Sequence, residues 1–360
     1  MHANTRSTFM AFVAVIALSG HVATASAQAP QPPRMIPHFE VDPSWPKLPS
    51  KWVWGQVSSV SIDSQGHAWI LQRPSTVRND QKGMAAPPVL EFDEAGNFVQ
   101  GWGGPGQGYD WPETEHGIYA DPKGFIWLGG NGKTDHHLVK FTRDGKFVMQ
   151  IGHKGQSKGN KDTENVNQAA DTFVYAPTNE LFVADGYGNR RIIVFDADTG
   201  AFKRMWGAFA NKPEDDDHCE ILRKTNFDAP GPQQLSVVHS LRVANDGIVY
   251  VADRENRRVQ MFTNDGKFIK QLIKPDTLFA RSVAFSPDQE QQFLYVGEGE
   301  AVAILDRKTL EVLGSIKVPG MQGGGHLINT DAKGNIYIAN TGKGMQKLAF
   351  KGTSAATAAK

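Results

Sequence analysis

Short runs of alternating apolar and polar residues recur along most of the chain and stop at turn sequences rich in glycine and in aspartate or asparagine. Clear examples of these turns are NDG at 245–247, NDG at 264–266 and DAKG at 331–334. Apolar residues at every second position place one face of a strand against a core, and turns of this composition favour hairpins. The pattern therefore predicts a protein built from short antiparallel strands.

The strands form a larger repeat with a spacing of about 40 to 60 residues, as expected for the blades of a repeat protein. Each unit has an inner strand, a turn, a second strand and a closing hairpin. The units begin near Ser58, His116, Asp171, His239, Arg281 and His326. Six units of four strands predict an all-β, six-bladed β-propeller, whereas an open β-sandwich would leave the repeat unexplained.

The last unit lacks a fourth strand after MQKLAF. The N-terminal segment HFEV, at His38–Val41, is the predicted replacement, so that an N-terminal strand closes the ring. The predicted organisation is a signal peptide at 1–27, an extended lead-in with the ring-closing strand at 28–50, the propeller at 51–352 and a disordered tail at 353–360.

The N-terminus has the layout of a cleaved secretory signal: Arg6, an apolar stretch from Phe9 to Leu18, and small residues that end at Ala27. The stretch is shorter than the roughly 20 residues that a membrane-spanning helix needs. We therefore expect a soluble protein exported to a bacterial periplasm or to the extracellular space. The single cysteine, Cys219, excludes an internal disulfide.

The charges of the chain balance, with 38 Lys and Arg residues against 38 Asp and Glu residues. A net charge of zero provides no global attraction to nucleic acid or to an anionic membrane. We expect neither partner once the signal is cleaved, and we expect a monomer.

Three histidines occupy the same position of the repeat, because His116, His239 and His326 each lie eight residues before a turn glycine. They fall in the second, fourth and sixth units, so a closed ring would bring them together around its axis. Three neutral imidazoles with an open fourth position are the ligand set of a catalytic zinc ion. Iron, copper or manganese would also accept this set, and the alternative is three unrelated structural histidines.

The second strands end on the same face of the ring, and there the chain offers Arg73, Tyr187 and Arg254. Guanidinium groups hold carboxylates in a two-pronged geometry, and a phenol next to cations can act as a base. The set predicts a small anionic substrate. Each arginine could instead form an ordinary salt bridge, for which Asp171 and Asp185 are available.

Several stretches resemble the catalytic core of peptidyl-α-hydroxyglycine α-amidating lyase, also called peptidylamidoglycolate lyase, a six-bladed propeller with NHL-like blades. They are EHGIYADPKGFIWL, VADGYGNRRIIVF, HSLRVANDGIVYVADRENRRVQMF and GHLINTDAKGNIYIAN. The most specific piece is the motif VADRENxRxQ, which reads VADRENRRVQ at 251–260 of this chain. The resemblance covers the mature chain from about Gly55 to Phe350.

The resemblance implies that zinc is held by three histidines, beside a catalytic tyrosine and two arginines. The matching positions are His116, His239 and His326 for zinc, Tyr187 for the tyrosine, and Arg73 and Arg254 for the arginines that stabilise anionic charge and bind the substrate. It further implies cleavage of the C–N bond of an N-(α-hydroxyglycyl) peptide, which releases a terminal amide and glyoxylate.

Two positions beside the third histidine depart from the family. The family has a methionine where this chain has Gly324, and an aspartate that helps to hold a structural calcium where this chain has Leu327. The second difference argues against calcium, and both leave the substrate open: a C-terminal peptide group or another small anionic hydroxy compound.

Two rival functions remain. A lactonase-like propeller hydrolase would rely on a calcium ion bound by carboxylates, and the three histidines argue against it. A non-catalytic NHL-type propeller would bind a protein or a peptide on one face.

Overall fold

The computed structural model describes residues 1–2, 34–215, 230–274, 279–320, 325–342 and 344–355. The chain divides into the units Met1–Arg34 and Met35–Lys360, and the strands below belong to the second unit. The predicted signal peptide and Cys219 lie outside the described residues, apart from the first two positions of the signal. In the described part, no helix has the length and apolar character needed to cross a membrane.

Twenty-four strands make up the described fold. In chain order they are β1 (Met35–Asp42), β2 (Gln56–Ile62), β3 (Ala68–Arg73), β4 (Val89–Phe92), β5 (Phe98–Trp102), β6 (Glu115–Ala120), β7 (Ile126–Gly130), β8 (His137–Phe141), β9 (Phe147–Gly152), β10 (Asp171–Tyr175), β11 (Glu180–Asp185), β12 (Arg191–Asp196), β13 (Phe202–Trp206), β14 (Val238–Val243), β15 (Ile248–Asp253), β16 (Arg258–Thr263), β17 (Phe268–Ile273), β18 (Ser282–Phe285), β19 (Phe293–Gly297), β20 (Ala301–Asp306), β21 (Val312–Lys317), β22 (Gly325–Thr330), β23 (Ile336–Asn340) and β24 (Gly344–Ala355). Short 3₁₀ turns occur at Pro74–Thr76, Asn79–Met84 and Ala208–Ala210.

The strands form six four-stranded antiparallel sheets. Blades 1 to 5 run in chain order as β2–β5, β6–β9, β10–β13, β14–β17 and β18–β21, and blade 6 has the order β1-β24-β23-β22. The innermost strand β2 of blade 1 contacts both β6 of blade 2 and β22 of blade 6, so the ring is closed. The six-bladed propeller predicted from the repeat is confirmed.

An N-terminal strand closes the ring, as the incomplete last repeat predicts. Strand β1 pairs antiparallel with β24 through Phe39 opposite Phe350 and Val41 opposite Leu348. The Phe39 ring also packs edge-on against Tyr295 of blade 5 at 5.8 Å. The predicted start of the tail at Thr353 is too early, because β24 continues to Ala355 and pairs there with the first residues of β1.

The core of the protein lies between the blades. Six buried apolar clusters each join two neighbouring sheets, because the alternating apolar residues of one sheet face those of the next. The inner strands are largely buried, whereas outer strands such as β9 and β13 are mostly accessible to solvent. A ring packed in this way gives the side chains at its axis rigid supports.

Candidate metal centre

β-Bulges place the three histidines at the entrance of the central channel. The pairing of inner and second strands shifts register between Glu115 and Gly117, between Val238 and Ser240, and between Gly325 and Ile328. His116 and His239 are the extra residues of the first two shifts, and His326 lies inside the third. A bulge re-aims the side chain of its extra residue, and here each of the three imidazoles faces the axis.

The three imidazoles converge as the repeat register predicts. Their ring centroids are 4.6 Å apart for His116 and His326, 4.7 Å for His239 and His326, and 5.0 Å for His116 and His239. One ring nitrogen from each lies within 4.8 Å of the other two. All three residues are buried. The group, called the tripod below, is close enough to share one metal ion.

Each imidazole is oriented by a backbone carbonyl of the next blade around the ring. A carbonyl can only accept, so each Nδ1 carries the proton and each Nε2 keeps its lone pair for a metal ion. The Nδ1 contacts are 2.8 Å from His116 to the oxygen of Ala170, 2.6 Å from His239 to that of Arg281 and 2.5 Å from His326 to that of Ser58.

The tripod is held in its neutral form. Burial lowers the pKa of His116 and of His239 well below the ordinary value, and it lowers the pKa of His326 to about 3. The positive charge of Arg254 acts in the same direction on all three histidines, and that of Arg73 does so on His116 and His326. Neutral imidazoles are the form that ligates transition metals, so the donor set fits a zinc-type ion.

The repeat aligns Asp171, near which the third unit begins, with the three histidines, but the residue of blade 3 that corresponds to them is Ala170. Asp171 pairs with Ala184 in the way that Ser240, one residue after His239, pairs with Ala252. The hairpin of blade 3 is one residue longer than that of blade 4, since Val174 pairs with Leu181 whereas Val243 pairs with Val249, so counting residues back from the second strand ends one position too late. Asp171 therefore lies one layer deeper in the channel.

Tyr187 and Arg254 lie directly at the tripod. The Tyr187 hydroxyl is 3.0 Å from Nε2 of His116 and 3.2 Å from Nε2 of His239. Nη1 of Arg254 donates to the same hydroxyl at 3.0 Å, and Glu255 pairs with Arg254 at 2.9 Å. A phenolic oxygen, a guanidinium group and two imidazole nitrogens thus meet at one point.

Arg73 lies on the other side of the tripod entrance and is fixed by three acceptors. Its Nε donates to the carbonyl of Glu115 at 2.7 Å, and its two terminal nitrogens donate to Gln56 at 3.0 Å and to Asn131 at 3.2 Å. Within the described residues, no carboxylate forms a salt bridge with it. Burial lowers the pKa of Arg73, because the charged guanidinium group loses hydration. An anionic ligand beside it would stabilise the charged form again.

The carboxylates considered as alternative partners for these arginines bind elsewhere. Asp171 accepts from Arg242 at 2.6 Å, and Asp185 accepts from Arg191 at 2.8 Å. Arg254 therefore forms an ordinary salt bridge with Glu255. The alternative that Arg73 serves only as a salt-bridge partner finds no carboxylate among the described residues.

Arg281, near which the fifth unit begins, is a third guanidinium group at the entrance. Its Nη1 donates to the carbonyl of Gly325 at 2.9 Å, beside the third histidine. Burial lowers its pKa, and the charge of Arg254 lowers it further. Three guanidinium groups therefore surround the tripod. Leu327 is buried next to the third histidine, and Gly324 lies outside the described residues.

Comparison with known proteins finds relatives that contain NHL repeats or are named as lyases of this kind. No family model matches the chain. NHL repeat-containing protein 3 of Mus musculus is 28% identical over 339 residues, with 86% of this chain and 84% of the relative covered. A probable peptidyl-α-hydroxyglycine α-amidating lyase of Caenorhabditis elegans is 28% identical over 227 residues and covers 60% of this chain, which in turn spans only 57% of that relative. These similarities and the six four-stranded blades support an NHL-repeat propeller that is similar to the peptidyl-hydroxyglycine lyases.

A solved structure shows the same fold. The structure of streptogramin B lyase superposes with a TM-score of 0.52, covers 88% of this chain and 98% of its own, and is 14% identical. At this identity the likeness concerns the propeller architecture of the family and not its chemistry.

In this NHL-repeat propeller, a buried ion pair supports the loop that carries Tyr187. Arg191 is fully buried and donates to Asp185 at 2.8 Å and to the carbonyls of Asn160, Asp162 and Asn165. Asp185 also accepts from the backbone N–H of Asn167 at 2.7 Å, and the carbonyl of Asn167 accepts from the residue after Tyr187.

Blade 4 repeats this device beside Arg254. Arg258 donates to Asp253 at 2.6 Å, and Asp253 accepts from the backbone N–H of Ser236 at 2.7 Å. The side-chain amide of Asn256 donates a further hydrogen bond to Asp253, as that of Asn189 does to Asp185 in blade 3. The NRR sequence at 189–191 and at 256–258 is the sequence signal of this support.

Replacing Arg191 with methionine is expected to lower the free energy of unfolding by about 3–5 kcal/mol, because Asp185 stays buried without its counter-ion. Chemical denaturation measures the change. Arg78→Met is the matched control, since Arg78 forms only an exposed pair with Asp80, and we expect a loss below about 1 kcal/mol. Equal losses in the two variants would contradict the supporting role.

Proposed function

We propose that this protein is a zinc-dependent lyase that cleaves the C–N bond of an α-hydroxyglycine-type carbinolamide to an amide and glyoxylate, or acts on a related small anionic hydroxy substrate. The observation that carries the proposal is the position of the Tyr187 hydroxyl, within hydrogen-bond distance of two tripod imidazoles and of Arg254. A base beside a metal centre and beside a cation is what this elimination requires.

The tripod would hold the ion through the Nε2 atoms of His116, His239 and His326. Zinc would act there as a Lewis acid for a substrate oxygen. The protein contributes neutral ligands, fixed by carbonyls of the neighbouring blades. Another transition metal that accepts three imidazoles would fit the same donors.

In the proposed reaction, Tyr187 accepts the proton of the substrate hydroxyl. The C–O bond gains double-bond character as the C–N bond breaks, and the proton ends on the departing amide nitrogen. Arg254 stabilises negative charge on the phenolic oxygen through its hydrogen bond at 3.0 Å. The products are an amide and glyoxylate, so atoms and charge balance without a redox partner.

Arg73 and Arg254 would hold the substrate carboxylate, and Arg281 adds a third positive charge at the entrance. Glu255 offsets one of these charges, and burial raises the pKa of Glu115, which favours its neutral form. The positive excess favours an anionic substrate. The name of the Caenorhabditis elegans relative supports this class of substrate.

We further propose that the protein acts as an exported monomer in a periplasm or outside the cell. The proposal rests on the N-terminal sequence, with its basic, apolar and small-residue segments in the order of a secretory signal.

A non-catalytic propeller that binds a protein or a peptide is the second candidate. A relative of which the chain covers 84%, NHL repeat-containing protein 3 of Mus musculus, is named only for its NHL repeats. The convergence of the tripod with Tyr187 favours the enzyme, because a binding surface has no need of three buried neutral imidazoles.

The decisive assay is incubation of the zinc-loaded protein with α-hydroxyhippurate. We expect glyoxylate and benzamide to form in equal amounts, as measured by chromatography. Hippurate, which lacks the hydroxyl group, should give no glyoxylate, and removal of the metal with a chelator should stop the reaction. Bound zinc without any release of glyoxylate would reject this substrate class for the protein.

A further inference from the structure

The central channel has a second mouth at the opposite end of the inner strands. His239 stands near the start of β14 and Arg242 near its end, and a strand rises about 3.3 Å per residue. A cavity of about 340 Å³ opens at this end, and strand-end and turn residues of all six blades line it. Its functional lining is Tyr119, Phe173, Arg242, Phe285 and Asn329.

Arg242 is the cation of this cavity. Its side chain is only 6% exposed and forms a buried pair with Asp171 at 2.6 Å. Its hydrogen bonds to Asp171 and to the carbonyl of Leu241 both use Nη1. No described residue accepts a hydrogen bond from Nε or Nη2, and neither atom is fully buried. This edge of the guanidinium group is therefore accessible from the cavity that Arg242 lines.

The Nε and Nη2 edge is the one with which a guanidinium group grips a carboxylate in a two-pronged geometry. The carboxylate of Asp171 balances the positive charge of Arg242 when no ligand is bound. The nearby carboxylate of Asp331 does not compete for the arginine, because its oxygens accept from backbone N–H groups, from Asn335 and from Tyr337.

One wall of the cavity is aromatic, and polar side chains such as Asn329 complete the lining. The rings of Tyr119 and Phe173 lie 5.2 Å apart, and the guanidinium carbon of Arg242 is 5.8 Å from the Phe173 ring. Burial raises the pKa of Tyr119, so its phenol stays neutral. The cavity volume falls within the range of roughly 300–1,000 Å³ typical of small-molecule sites.

We propose that this second mouth binds a small organic carboxylate with an apolar body the size of one ring. The carboxylate would lie on the Nε and Nη2 edge of Arg242, and the ring would lie against the aromatic wall that Tyr119 and Phe173 form together. The site is separate from the tripod and needs no metal ion, so the inference does not depend on the proposed lyase activity.

Benzoate is the probe, titrated into the full-length protein by isothermal calorimetry. Arg242→Lys keeps a charge for Asp171 but loses the two-pronged edge, and we expect benzoate to bind at least about tenfold more weakly. Asn329→Phe fills the cavity without touching the ion pair and should weaken binding as strongly. Benzyl alcohol, which has the ring but no carboxylate, should bind poorly to the natural protein.

Two variants at the other mouth separate this site from the tripod. Arg254→Lys and His239→Ala should both leave benzoate binding at the second mouth intact, whatever they do to turnover. The proposal is overturned if benzoate fails to bind the natural protein, or if its affinity is unchanged in both Arg242→Lys and Asn329→Phe. Loss of binding only in Arg254→Lys would place the carboxylate at the tripod and overturn it as well.

Discussion

Replacement of His239 with alanine is expected to abolish metal binding and, with it, the release of glyoxylate. The change removes one of three Nε2 donors and leaves two imidazoles, too few for a stable catalytic site of this type. The loss should exceed the roughly 10–100-fold effect of removing a hydrogen-bond partner of a metal ligand. Metal content per chain, measured by mass spectrometry after dialysis, and the glyoxylate assay test both effects.

His67→Ala is the matched control. His67 belongs to the other group of possible metal ligands among the described residues, with Asp63 and Glu91. Arg143 pairs with both of these carboxylates, so a guanidinium group already supplies the cation there. We expect this variant to keep its metal and its turnover. A His239→Ala protein that retains one firmly bound metal per chain would refute the tripod.

The strand order could be predicted from the sequence because hairpin turns are local. A turn such as NDG at 245–247 sets its own conformation and joins two strands that are already neighbours in the chain. The ring-closing strand was predictable for a different reason: the last repeat lacks one strand, and β1 is the segment outside the repeat that alternates correctly.

The bulges were not predictable from the sequence, because they depend on how two strands pair. The hairpin between the first two strands is also one residue longer in blade 3, where Val174 pairs with Leu181, than in blade 4, where Val243 pairs with Val249. Counting residues therefore placed the histidines correctly and Asp171 incorrectly.

The orientation of the histidines also depends on contacts between blades. Even-numbered blades supply the imidazoles, and odd-numbered blades supply the carbonyls that hold them. This alternation turns a six-fold ring into a three-fold ligand set. No local pattern contains it, because each hydrogen bond joins residues of different repeats.

The position of Tyr187 was only partly predictable from the sequence. Tyr187 was found because it follows a second strand, but its position depends on Arg191 and Asp185, which are buried and have no part in the chemistry. A charged pair inside a sheet protein is expected to hold a loop rather than to react, and the paired NRR sequences of blades 3 and 4 carry that information.

Replacement of Tyr187 with phenylalanine is expected to leave the metal bound and to lower kcat/KM by about 10²- to 10⁴-fold, the usual contribution of a general base. The ring keeps its packing against His116 at 4.9 Å, and only the hydroxyl is lost. Metal analysis and steady-state kinetics with α-hydroxyhippurate measure the two effects on the same preparation.

Tyr175→Phe is the matched control, because the Tyr175 hydroxyl makes only a 3.4 Å contact with the carbonyl of Asn245, away from the tripod. Its kinetics should equal those of the natural protein. If Tyr187→Phe also turns over at the natural rate, another group removes the substrate proton and Tyr187 is a packing residue. If it loses its metal as well, the hydroxyl contributes to the ligand set, since it already lies 3.0 Å and 3.2 Å from two of the ligating nitrogens.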